Sequence, residues 1–154
     1  MVRSSPLRRT LSLAASLPAQ RWAALAEAAA WIAWTRTLLT LRPWREVSAR
    51  FEREPLCPGP PDWTRANLTL WAVHAVARRV LPEKPCLTQA LAARTLLRRL
   101  GIDTELRLGA ARDAEHGFRA HAWLEYEGDV VMGRMHAGQY VPFVPARPSP
   151  SAAS

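Results

Sequence analysis

Two side chains raise a chemical question: Cys86, within the run KPCLTQALAARTLLRRLG, and His121, which opens HAWLEYEG. A thiol and an imidazole in hydrogen-bond reach make a nucleophile and its base, able to attack a carbonyl and then protonate the leaving amine. Cys86 stands in the first turn of a predicted helix, where unpaired backbone N–H groups and the positive dipole end favour a thiolate. Lys84 adds positive charge just upstream. The same N–H groups could hold the oxyanion of a tetrahedral intermediate formed on the sulfur. The bland alternative is a small buried hydrophobe. On a helical wheel Cys86 shares a face with Ala90, Ala93, Leu97 and Leu100, opposite Thr88, Thr95 and Arg99, so the thiol points inward on either reading. His121 shares a strand face with Trp123 and Glu125, while Ala122, Leu124 and Tyr126 point the other way.

Elements that would position these groups can be read from pattern and punctuation. Residues 6–17 read as a short helix. From Pro18 to about Leu41 the Ala/Leu/Trp content and lack of Gly predict a long helix, ended by Arg42-Pro43. WREVSARFERE, residues 44–54, adds a turn or two, and PLCPGPPD, residues 55–62, breaks the chain. Asp62 caps a helix from Trp63 to about Val80. After LPEKP a helix runs from Pro85 or Cys86 to Leu100, with Gly101 as its C-cap. IDTELRLGA, residues 102–110, alternates as a strand should. The polar loop ARDAEHG then leads to two strands in FRAHAWLEYEGDVVMG, turning at Glu127-Gly128-Asp129. The Pro/Ser-rich tail from residue 145 to 154 is expected to be disordered. This order predicts an α+β fold with helices on one face of an antiparallel sheet. It divides into an N-terminal helical region over residues 1–55 and a core over 56–144.

Composition narrows the class. The chain has 154 residues, 49% of them hydrophobic and 22% charged, enough for one domain and its core. The net charge of +8 would suit an anionic partner, but the Arg residues are scattered and no zinc-finger spacing or RNA-binding signature accompanies them. Nucleic-acid binding is therefore not expected. Two cysteines, Cys57 and Cys86, make no disulfide framework, which fits free thiols in a reducing cytosol. Residues 8–17 are a poor export signal, because Pro18 and Arg21 end the apolar stretch early. Residues 22–41 are long enough to span a bilayer, yet Glu27 and Arg36 would each cost roughly 2.5–3.5 kcal/mol there. That helix is expected to pack on protein rather than to contact membrane, a membrane-surface helix being the alternative. No phosphate-cradling glycine loop occurs, so ATP is not an expected ligand, nor is any other cofactor. His74, His116 and His136 form no recognised metal spacing with either cysteine. Cys57, among prolines, reads as a bystander. The Trp residues read as packing, although Trp63, Trp71 or Trp123 could wall a peptide site.

Cys86 at the start of a Leu/Ala-rich helix, the LLRRLGI ending, the strand ELRLGA and then F-R-A-HAWLEYEG together resemble a known family. They are similar to the transglutaminase-like cysteine peptidases of lasso peptide biosynthesis, the leader peptidases called B proteins. The resemblance is specific over about residues 63–144 and looser over residues 6–50. It implies a papain-like Cys–His mechanism on a transglutaminase-like core, with Cys86 as nucleophile and His121 as general base and acid. The reaction would remove the leader of a precursor peptide and hand the freed core amine to an asparagine-synthetase-like cyclase. At this length no separate leader-recognition domain is expected, so a small leader-binding partner protein would deliver the substrate.

One feature departs from the family's pattern. The family usually places an aspartate on the strand after the histidine strand to orient the imidazole. Here that stretch reads VVMGRMHAG, Gly133 stands about where the acid would fall, and no Asp or Glu follows Asp129. The third member is then Asp129 displaced to the turn, a neutral partner such as Gln139, or absent. Glu125 shares a face with His121, but its two-residue offset makes a triad contact awkward. Two further readings stay open: a non-enzymatic basic scaffold of degenerate transglutaminase-like fold that binds a peptide or membrane surface, and acyl transfer to an amine rather than to water.

Overall fold

The computed structural model describes residues 18–80, 86–113, 117–134 and 140–143. The expected helix over 6–17, Lys84, His116, His136, Gln139 and the C-terminal tail lie outside the described residues. Helix α1, Ala19–Leu41, holds no glycine or internal proline and stops where Arg42 turns extended ahead of Pro43. Pro43 then starts α2, Trp44–Glu52, whose Val47 and Phe51 are buried one turn apart. Helix α3, Trp63–Val80, opens as expected, with the Arg65 N–H donating to Asp62 Oδ1 at 3.0 Å. None of the described helices is long and apolar enough to cross a membrane.

Helix α4, Cys86–Arg98, lies at the centre of the fold. The helical wheel predicts burial of one face, but Thr88, Ala90, Leu91, Ala92, Ala93, Thr95, Leu96 and Leu97 are all buried. Helices α1 and α3 pack on one side of it and the sheet on the other, so no face of its middle is left to solvent. Thr95 is tolerated inside because its hydroxyl donates to Glu54 Oε2 at 2.6 Å. The helix ends at Gly101, φ +76°, with the Ile102 N–H donating to the Leu97 carbonyl at 3.0 Å and the Gly101 N–H to the Arg98 carbonyl at 3.2 Å. The breaker segment over 55–62 runs along this end. Its Cys57 N–H is a second donor to the Arg98 carbonyl, and its Asp62 N–H donates to the carbonyl of Leu100, past the end of the helix.

The sheet consists of β1, Glu105–Asp113, β2, Gly117–Tyr126, β3, Asp129–Met132, and β4, Val141–Pro142, in the order β3-β2-β1-β4 and antiparallel throughout. Both long strands reach further than the alternation predicts, taking in much of the expected polar loop. Strand β4 is unforeseen: two residues, one a proline, carry no periodicity, and proline is tolerated because the strand lies at the edge. Leu106, Leu108, Ala122 and Leu124 face the helices. Glu105, Arg107, Gly109, His121, Trp123 and Glu125 occupy the opposite face. One core unites the layers, from Ala28 and Ile32 of α1 through Ala72 and Val73 of α3 and Leu97 of α4 to Leu124.

The β2–β3 hairpin turns where expected, through Glu127 (φ +50°) and Gly128 (φ +91°), between the paired Tyr126 and Asp129. Two consecutive left-handed residues make the turn that matches strand twist, and Asn serves the first position better than Glu. Glu127→Asn should therefore stabilise the fold by about 0.5–1 kcal/mol, read as a higher urea midpoint at unchanged slope.

Candidate active site

Cys86 is the first residue of α4, half-buried, with its side chain against the margin of the main core. No acidic residue occupies the first turn, so nothing there offsets the positive end of the helix. The level of Cys86 relative to the sheet follows from one anchor. Arg94 Nε donates to the Thr104 carbonyl at 3.1 Å, tying the middle of α4 to the start of β1 after the chain reverses at Gly101. Running back from Arg94 to Cys86 covers about 12 Å of helix. Running on from Thr104 to Gly109 covers about 16 Å of strand. Gly109 is the register partner of His121. Both residues thus lie a comparable run from that anchor, Cys86 in the helix layer and His121 on the sheet face turned away from it.

His121 is half-buried, with Nε2 3.1 Å from the Gly133 carbonyl oxygen. A carbonyl only accepts, so Nε2 carries the proton, and in the neutral ring Nδ1 is the basic nitrogen. The Trp123 ring stacks near-parallel to it at 5.9 Å between centroids, and the Tyr140 ring lies at 4.9 Å. Trp123 is 2% exposed, so it is a buried support for the imidazole rather than a wall open to peptide. Its ring lies across Gly109, where a Cβ would come within 2.9 Å of it. Glu125 is held elsewhere: Trp123 Nε1 donates to its Oε1 at 2.8 Å and Arg107 Nε to its Oε2 at 2.9 Å. Arg107 also pairs with Glu105 at 2.7 Å. This partly buried cluster was not foreseen; the only signal for it was the alternation of Glu105, Arg107, Trp123 and Glu125 on one face.

Asp129 does not meet His121. It sits exposed at the hairpin turn and pairs with Tyr126, and from Tyr126 back to His121 is about 16 Å along β2. The assignment of Asp129 as orienting acid is therefore corrected: the turn that makes it a good turn residue also carries it to the far end of the strand. Among the described residues, the backbone of Gly133 is a group that does reach the imidazole.

Trp63, Asn67 and Leu70 of α3 line a groove of about 410 Å³ with Asp129–Met132, Gly133 and Arg134. It opens beside the carbonyl that holds His121. Trp63 itself packs edge-on against Tyr126 at 4.8 Å. Trp71 lies at the surface under the Arg21 guanidinium. Among the described residues, no three His, Cys, Asp or Glu side chains converge as metal ligands would.

A family model for the transglutaminase-like superfamily matches residues 32–145. The chain belongs to the transglutaminase-like superfamily. The match begins inside α1 and takes in α4, the whole sheet, Cys86 and His121. No significant match was found among curated proteins or solved structures. A thiol at a helix N-terminus and an imidazole with one nitrogen committed to a carbonyl are the groups from which a thiolate–imidazolium pair is built where the two meet.

Proposed function

We propose that this transglutaminase-like protein is a cysteine peptidase that removes the leader from a lasso peptide precursor. Cys86 attacks the scissile carbonyl while His121 Nδ1 takes the thiol proton and then delivers it to the leaving amine. Backbone N–H groups of the first turn of α4 receive the oxyanion. Strand alternation turns His121 away from the helices, so this scheme requires its Nδ1 edge to reach the sulfur around the margin of β2, beyond the point where β3 stops at Met132. The observation that carries the reading is the tautomer: Nε2 is committed to the Gly133 carbonyl, which makes Nδ1 the proton acceptor.

The substrate class follows from the resemblance of the Cys86 helix and the HAWLEYEG strand to the leader peptidases. The groove along α3 and β3 would take an extended segment near the cut site, its Trp63 and Leu70 covering apolar side chains. A small leader-binding protein presents the precursor, and the asparagine-synthetase-like cyclase takes the freed core. The protein works in the cytoplasm in this reading. Incubating precursor with the purified protein, with and without that partner, and weighing the products by mass spectrometry tests it. Cleavage at one bond, strongly dependent on the partner, is expected; an intact precursor in the presence of the partner would refute the assignment.

A further inference from the structure

A catalytic imidazole works only if its ring is held in one rotation and one tautomer, and the nitrogen away from the thiol is where that control is exerted. Here the control is a backbone oxygen. Three features aim it. First, β3 carries a bulge: Glu125 pairs with Val130, but Leu124 pairs with Met132, so Val131 is an extra residue that shifts everything after it. Second, Gly133 adopts φ +87°, a conformation that strains any L side chain. Third, Gly133 lies directly against Trp123, where a Cβ would come within 2.8 Å of Trp123 Cβ and 3.3 Å of the Ala122 carbonyl. Bulge, left-handed turn and close approach together bring the carbonyl to 3.1 Å from Nε2.

We propose that the Gly133 carbonyl is the orienting third member of the centre, a neutral backbone acceptor in the place of a side-chain carboxylate. This deepens, and rests on, the reading of Cys86 and His121 as nucleophile and base. Gly133 is a positioning residue: it acts through His121 and touches no substrate in this scheme. Among the described side chains, the charged and titratable groups on the same sheet face include Glu105, Arg107 and Glu125, locked to one another, with Arg119 further along β2 and Tyr140 against the ring. A carbonyl stabilises the imidazolium through its hydrogen bond but brings no countercharge.

Gly133→Ala would disturb the fold as well as the carbonyl, so the test changes the acceptor alone. Incorporating the α-hydroxy analogue of arginine at position 134 converts the Gly133–Arg134 amide to an ester, whose carbonyl is a weaker acceptor. Weaker support for the imidazolium lowers its pKa, so the alkaline limb of the kcat/KM profile should move down by about half a pH unit. The turnover number should fall about 3–10-fold with KM unchanged. Asp129→Asn should superpose on the unmodified protein across the whole profile. An ester whose alkaline limb stays in place, or an Asp129→Asn profile that shifts or loses tenfold in rate, would overturn the assignment of Gly133. Cleavage by Cys86→Ala would instead remove the peptidase reading itself, a separate outcome.

Discussion

Cys86→Ala should abolish leader cleavage, with kcat/KM down by about a thousandfold or more, while the protein stays folded. Deleting the sulfur removes the only atom on which the acyl intermediate of this mechanism can form. The structural cost is small: Cys86 is half-buried at the margin of the core, and alanine suits the first turn of a helix. His121→Ala should cost a similar factor, since members of one catalytic unit are not additive. The thiol can also be read directly. In a Cys57→Ser background, which removes the exposed second thiol, iodoacetamide should alkylate Cys86 rapidly at pH 6, and His121→Ala should slow that reaction sharply. A Cys86 that stays unreactive in the intact protein would make it a core thiol.

The second large effect lies on the strand opposite. Gly109→Ala should destabilise the fold by about 1–3 kcal/mol, because the new methyl group has nowhere to go. A Cβ there would come within 2.8 Å of the Val141 carbonyl and 2.9 Å of the Trp123 ring. One neighbour is backbone of β4, and the other is an indole fixed by its hydrogen bond to Glu125. Relief therefore requires moving the edge strand or tilting the ring. For a domain of this size the melting temperature should drop by roughly 2–4 °C per kcal/mol. Since the same indole stacks on His121, residual activity should fall further than the lost stability explains. A variant with unchanged melting temperature would show that the sheet yields more freely than this packing implies.

Much of the molecule was legible before folding was considered, because its signals are local. Arg42-Pro43 ends a helix through the clash of one ring with its neighbour, Asp62 caps through its own carboxylate, and Gly101 ends α4 through its own φ. Glu127-Gly128 turns a hairpin for the same kind of reason. Cys86 and His121 stood out because their types and their places at the start of a helix and in a strand are chemical facts about single residues. The α+β order followed from counting these elements.

What the tertiary structure alone decided involves partners distant in sequence. Helix α4 is buried on every side because α1 and α3 cover it from one direction and the sheet from the other, which no helical wheel can express. Trp123 faces inward over Gly109, and Glu125 is taken by Arg107, because the β1–β2 register brings those rungs together. Asp129, the only acid near the right place in the sequence, lies a strand length away from the imidazole. Gly133, which has no side chain to offer, supplies the contact: one extra residue in β3 shifts the strand's register, and a left-handed backbone then turns its carbonyl toward His121. A side-chain pattern cannot show where a peptide oxygen will point, and here that oxygen fixes which nitrogen of the neutral imidazole carries the proton.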